Sequence, residues 1–214
     1  YCDPVHRLFS VLFSFTAMVV LLYELDIPDA IHLLILLAAS GIFFLWKHES
    51  ALLTGKYAAF FAPVGHGLTI VLFFLLIPSI LPDIPVSSWW ASTAGLLILL
   101  LILENHLFTL HQIPLTQPIG MLLFVGTILV SIPFFAAPGI IAALLVLLLG
   151  FQRGNRLLMG LAFAFLAIFL TAFYYHLDIT LLAKSAILFV SGTGLLGLRF
   201  FFVQFVQQFS NHDA

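Results

Sequence analysis

His66 sits in the run Ala62-Pro63-Val64-Gly65-His66-Gly67, an imidazole bracketed by a proline and two glycines within an apolar stretch. Proline removes a backbone donor and glycine lets a second backbone come close, the composition of the interrupted helices in which transporters build sites. A packing histidine in a kinked helix is the commoner outcome, because Pro and Gly are frequent in membrane helices. Glu104-Asn105-His106, with His111 beyond, sets a carboxylate beside an imidazole, a pair able to pass protons or hold a metal. The spacing keeps His106 and His111 off one helical face, and the plainer reading is the polar end of a span. Arg153 and Arg156 bracket Gly154-Asn155 and read as interfacial anchors. Asp178, Thr180 and Lys184 make an acid, cap and cation at a helix start. The helix dipole opposes Lys184 there, so pairing with Asp178, Asp26 or another chain is expected, with substrate binding as the competing reading.

Other chemistries are poorly supported. Eight histidines invite a bis-imidazole haem, but only His66 falls deep in a span, and no helix carries two histidines spaced to clamp two haems. The single cysteine, Cys2, permits neither an internal disulfide nor a thiolate metal cluster. There is no phosphate-cradling glycine loop, no Gly-x-Ser-x-Gly and no His-Glu-x-x-His. No catalytic residue, cofactor or metal is therefore expected, and the chain reads as a non-enzyme.

The elements that must hold these residues follow from composition. The 214 residues include 7 Lys+Arg and 9 Asp+Glu; 63% are hydrophobic, 15% aromatic and 7% charged, with a mean hydropathy of +1.23. Ordinary soluble domains carry about 25% charged residues, so this chain could not coat a water-facing surface. A net charge of −2 with scattered cations excludes nucleic-acid binding. Charge-free stretches, divided at prolines, place eight helices near 7–24, 30–46, 58–80, 89–104, 117–134, 138–151, 157–176 and 180–201. The stretches are apolar on every side, which argues for helices and against a barrel.

With the N-terminus in the cytoplasm, Arg7, Lys47, Lys56, Arg153, Arg156 and Arg199 all fall inside. Glu24, Asp26, Asp29, Asp83 and Asp178 fall outside, with Lys184 the one cation there. That segregation is the positive-inside bias, and it places both termini in the cytoplasm. Tyr23, Trp89, Trp90, Tyr174 and Tyr175 at outer ends, with Trp46 and Tyr57 at inner ends, make the expected aromatic belt. Tyr23-Glu24-Leu25-Asp26-Ile27 echoes Tyr175-His176-Leu177-Asp178-Ile179, and Ser-Gly pairs follow both. A repeat of the hairpins 8–46 and 157–201 would explain the echo; so, more simply, would coincidence in an apolar alphabet. The chain opens at Tyr1 rather than Met, so a natural start upstream is expected.

The C-terminal third has the most distinctive residues. Gly150-Phe151-Gln152-Arg153-Gly154-Asn155-Arg156, then Tyr174-Tyr175, Leu177-Asp178, Thr180-Leu181-Leu182 and Lys184-Ser185, then Ser191-Gly192 and Arg199, resemble a bacterial inner-membrane family. That family is catalogued as a domain of unknown function, number forty-four-oh-one. The resemblance lies mainly over 150–200; upstream, general hydropathy is what matches. It implies a longer N-terminus and a membrane-protein partner, since members are often encoded beside a protein named for a GDYxxLxY motif. It implies no active site. The sequence thus reads as an all-α, polytopic transmembrane bundle of the bacterial inner membrane, one domain over 1–214. The bilayer and other membrane subunits are the expected partners. A structural or accessory subunit is the leading reading, and a small-solute or ion transporter the alternative.

Overall fold

The computed structural model describes residues 4–48, 58–81, 86, 88–110, 112 and 118–176, and beyond these 185, 189, 193 and 196. Its helices are α1 (Pro4–Glu24), α2 (Ile31–Lys47), α3 (Ala58–Leu76), α4 (Trp90–Leu110), α5 (Pro118–Ser131), α6 (Pro138–Arg153) and α7 (Arg156–His176). Short 3-10 turns at Pro28–Ala30 and Ile77–Ile80 extend α2 and α3. No strand occurs among the described residues. Residues up to Phe173 form one compact unit, and those from Tyr174 onward a second. In the second, Tyr174 and Tyr175 meet edge to face with centroids 5.8 Å apart. The helix expected over 180–201 lies outside the described residues, apart from Ser185, Phe189, Thr193 and Leu196, which are helical.

Among the described residues, five helical segments are long and apolar enough to cross a membrane: Pro4–Glu24, Pro28–Lys47, Phe61–Ile80, Trp90–Leu110 and Arg156–Tyr175. The α5 and α6 segments are apolar but shorter. Of the eight spans expected from charge spacing these are five; the one expected over 180–201 lies outside the described residues, and α5 and α6 are the other two. The Pro133–Pro138 bend leaves each of α5 and α6 short of the roughly 20 residues a hydrocarbon core requires. The chain is all-helical and multi-pass in character.

Apolar side chains cover the outside as well as the core, and a few hydroxyls are fully enclosed. Thr69, Ser92 and Thr93 are 0% exposed, whereas Phe13 and Leu33 are each 70% exposed. On α5 the inward stripe is Gly120, Phe124, Thr127 and Ser131, and the outward face is Met121, Leu122, Leu123, Val125, Leu129 and Val130. A face of aliphatic side chains turned outward around a partly polar interior suits a lipid solvent, in which polar groups must find protein partners.

The centre of the first unit is α6, whose Ile140 to Val146 run is buried on nearly every side by α2, α3, α4 and α7. Phe169 of α7 seats against Gly139, and the rings of Phe73 and Phe165 stack 4.1 Å apart at 9°. The α6–α7 junction explains part of the distinctive C-terminal motif. Gly154 adopts φ +62°, and the Asn155 N–H bonds the Gly150 carbonyl at 3.0 Å, closing α6 with a left-handed cap. Asn155 Oδ1 then accepts from the N–H groups of Leu157 and Leu158 at 3.1 and 3.2 Å, opening α7. A Cβ at Gly150 would lie 3.0 Å from the Met159 backbone nitrogen, so the small residue lets the two helices touch.

Two substitutions separate packing from propensity. A Cβ at Gly139 would stand 2.4 Å from the buried Phe169 ring, so Gly139→Ala should lower detergent melting stability by about 1–3 kcal/mol. Gly126 in α5 has nothing within 4 Å, and Gly126→Ala should be neutral or stabilising by up to ~1 kcal/mol. Equal melting temperatures for the two variants would contradict this packing.

Candidate functional site

The polar groups of the bundle gather in three places. At one end, His32 in the first turn of α2 meets Ser92 in the first turn of α4, Nδ1 to Oγ 2.6 Å, with the Trp89 indole edge-on to the imidazole at 5.5 Å. This contact joins the N-termini of α2 and α4. At the other end, an Arg153 Nη2 donates to the Lys47 carbonyl at 2.9 Å, joining the C-termini of α2 and α6. A cation on the last carbonyl of a helix is favoured by the dipole as well as by the bond. Lys47 and Arg153 are also the cations nearest His106. So α2, α4 and α6 run in one direction, and Lys47, His106 and Arg153 share one end of the bundle.

The third place is internal. Glu104 accepts a hydrogen bond from the Thr127 hydroxyl of α5, and Ser131 Oγ donates to the Thr127 carbonyl at 2.7 Å. The sequence reading set Glu104 at the end of a span. The helix instead continues to Leu110, because Leu107 and Phe108 pack against the core and carry the apolar face past the Glu104-Asn105-His106 run. Glu104 is therefore within the helix, on the edge of the buried stripe of Leu96, Leu100 and Leu103. Its Oε2 is out of solvent and has no hydrogen-bond partner among the described residues. His106, two residues on, projects to the other side of α4.

His66 is half-buried in α3. Its Nδ1–H donates to the Ala62 carbonyl at 2.6 Å, and Nε2 is buried without a partner among the described residues. Pro63 is accommodated within the helix. The imidazole lies edge-on to Trp46, centroids 5.5 Å apart. Trp46 is 1% exposed, wedged against Phe61 and Gly65, and so is a core side chain rather than part of the expected headgroup belt. The glycine at 65 is what lets the indole in: a Cβ there would be 3.2 Å from it. Since Trp46 is next to the last residue of α2, His66 lies near that end and not at mid-depth.

Arg156 is exposed at the start of α7. Asp178 and Lys184, and with them the expected ion pair, lie outside the described residues. Among those described, no three His, Cys, Asp or Glu side chains gather as metal ligands. An apolar cavity of about 300 Å³ lies between α1, α2 and α3, lined by Leu12, Phe15, Val71 and Leu75. Its one hydroxyl, Thr16, is turned back to the Leu12 carbonyl at 2.9 Å. The cavity offers a polar solute nothing to bind.

Sequence reasoning passed over His32, Ser92 and Thr127. The signal for Thr127 was present in the period Gly120, Phe124, Thr127, Ser131, the small and polar stripe on an otherwise aliphatic helix. His32 and Ser92 are 60 residues apart, and no local pattern joins them.

Hydrogen bonds between membrane helices average roughly 0.6 kcal/mol, with a maximum near 1.7. A double-mutant cycle of His32→Ala and Ser92→Ala, read by detergent melting, should give a coupling in that range. Additive losses would mean that the pair does not hold α2 to α4.

No curated protein and no solved structure matches the chain. A family comparison does: the family described as Domain of unknown function (DUF4401) matches residues 1–205. The match corrects the narrower resemblance, which lay mainly over the C-terminal third. The upstream helices belong to the same family pattern, although their composition alone shows little beyond hydropathy. The chain belongs to the family described as Domain of unknown function (DUF4401).

Proposed function

We propose that the protein is a multi-pass component of the bacterial inner membrane with a structural or accessory role in a membrane complex. The observation that carries this reading is the use made of polar side chains within the bundle. His32 with Ser92, Glu104 with Thr127 and Arg153 with the Lys47 carbonyl each tie one helix to another. Thr69, Thr93 and Ser131 turn back to carbonyls four residues earlier in the chain. Such groups serve to fix helix positions and do not converge on a shared space. The outward faces, by contrast, present aliphatic and aromatic side chains on α1, α4, α5 and α7, a surface suited to lipid and to other membrane helices. On α1 no residue is buried, although it runs along α3 with Val11 and Leu8 against Gly67. A partner subunit on such faces, including the GDYxxLxY-type protein that the family resemblance implies, would cover what this chain leaves open.

The orientation reading is supported by charge. Lys47 and Arg153 share one end of the bundle, while Asp26 and Asp29 stand in the turn between α1 and α2 at the other. By the positive-inside rule the first end faces the cytoplasm, and alternation through eight spans would return the C-terminus there. The transporter reading draws on one observation, the carboxyl of Glu104 within a span, since ionisable side chains at such depth commonly mark ion pathways.

Two measurements test these statements. In a Cys2→Ser background, Ile27→Cys should react with an impermeant thiol reagent in intact cells and His48→Cys should not; the reverse pattern would invert the orientation. Gentle solubilisation and affinity purification should recover a defined membrane-protein partner in stoichiometric yield. Recovery of this chain alone, together with solute flux in reconstituted vesicles that Glu104→Gln abolishes, would replace the accessory role with transport.

A further inference from the structure

Glu104 differs from the other acidic side chains described. Glu24 and Asp26 are exposed at the turn after α1, whereas Glu104 is embedded in α4 with more than one turn of helix beyond it. One carboxyl oxygen receives the Thr127 hydroxyl; the other is out of solvent and accepts nothing among the described residues. A carboxylate with one oxygen shut off from solvent between helices and a single neutral donor is poorly compensated, and the least costly remedy is a bound proton. We propose that Glu104 of α4, positioned by the Thr127 hydroxyl of α5, is a proton-binding site within the membrane-spanning part of this protein. The proposal rests on α4 as a membrane span and is independent of the accessory role.

The surroundings favour a proton over other ligands. The elements packed on α4 are α2, α5 and α6. Helix α5 carries no titratable side chain. On α2 and α6 the charged groups at this end are Lys47 and Arg153; these act on His106, which projects from the other side of α4, and Arg153 is bonded to the Lys47 carbonyl. His32 of α2 is at the opposite end, bonded to Ser92. Hard metal cations take six or more oxygen ligands, and the side chains here supply the Glu104 carboxyl and the Thr127 hydroxyl. A proton needs no such shell. Its arrival also changes the contact that carries it: the ionised carboxyl accepts a charge-assisted bond from Thr127, and the protonated carboxyl accepts a weaker neutral one. Proton occupancy therefore sets how firmly α5 is held to α4.

Hydrophobic carbodiimide tests the site directly, because the reagent enters apolar regions and reacts with protonated carboxyls. The carboxyl proton passes to a reagent nitrogen, the carboxyl oxygen bonds the central carbon, and acyl migration leaves a stable N-acylurea with no atom lost. Dicyclohexylcarbodiimide added to the full-length protein in detergent should place one reagent on Glu104, identified by peptide mass spectrometry. Labelling should decline as pH rises and vanish in Glu104→Gln. A water-soluble carbodiimide should label Glu24 in preference to Glu104. Thr127→Val removes the donor that favours the ionised form and should raise labelling at pH 8 by about tenfold, while Thr127→Ser should retain the native profile. Absence of label on Glu104 at every pH in folded protein would overturn the proposal, as would equal labelling by the two reagents. Protection by excess sodium at constant pH would replace the proton with a cation, and an unchanged profile in Thr127→Val would remove Thr127 from the site.

Discussion

In hydrocarbon no water is present to satisfy a backbone or side-chain polar group, and that constraint governs every level of this structure. It explains why the described chain is helical throughout its regular elements and why side-chain hydroxyls turn to carbonyls of the preceding turn. It also explains why the few groups too large or too polar for that solution meet across helices. Among the described residues the His32–Ser92, Glu104–Thr127 and Arg153–Lys47 contacts are such cases, and each joins a different pair of helices. The aliphatic residues need no partner and face outward.

Helix–helix attraction in lipid comes from close packing, since lipid tails are as apolar as leucine. The central position of α6 follows from this. Its sequence alternates small and aliphatic residues, Gly139, Ala142, Ala143 and Gly150 among Ile, Leu and Val, so neighbours approach on several sides at once. Helix α7 is brought back against it by a connection of minimal length, with the left-handed Gly154 ending one helix and Asn155 opening the next. Phe169 can then seat on Gly139, and Phe165 can stack on Phe73 of α3. A local turn signal and a distant aromatic cluster are thereby two parts of one arrangement.

The same close packing places the ionisable residues in unlike environments. Trp46 and His66 meet edge to face at the α2–α3 interface, an arrangement that favours fixed helix positions. Glu104 sits where α5, whose outward face is aliphatic, touches α4 through Thr127. A proton-responsive contact at the less enclosed helix is compatible with a structural subunit whose fit to a partner depends on proton availability. It is equally the place from which a transport function would have to be built.

The sequence by itself determined the class of object. Low charge, long apolar stretches and prolines between them dictate membrane helices, and the boundaries of α1, α2, α6 and α7 fall within a few residues of where charge and proline place them. The break between the helices expected at 138–151 and 157–176 was legible in the sequence, whereas its closure by a left-handed Gly154 and an Asn155 cap belongs to the structure. What the sequence could not show is which apolar face meets which. Hydropathy is nearly uniform around these helices, so the inward side of α4 is decided by neighbours, and with it the burial of Glu104 and the continuation of the helix past His106. Trp46 became core rather than belt because Gly65, nineteen residues downstream, leaves room for an indole. Pairings such as His32 with Ser92 join residues with no local relation, and only the tertiary structure, by setting α2 parallel to α4, brings them within hydrogen-bond distance.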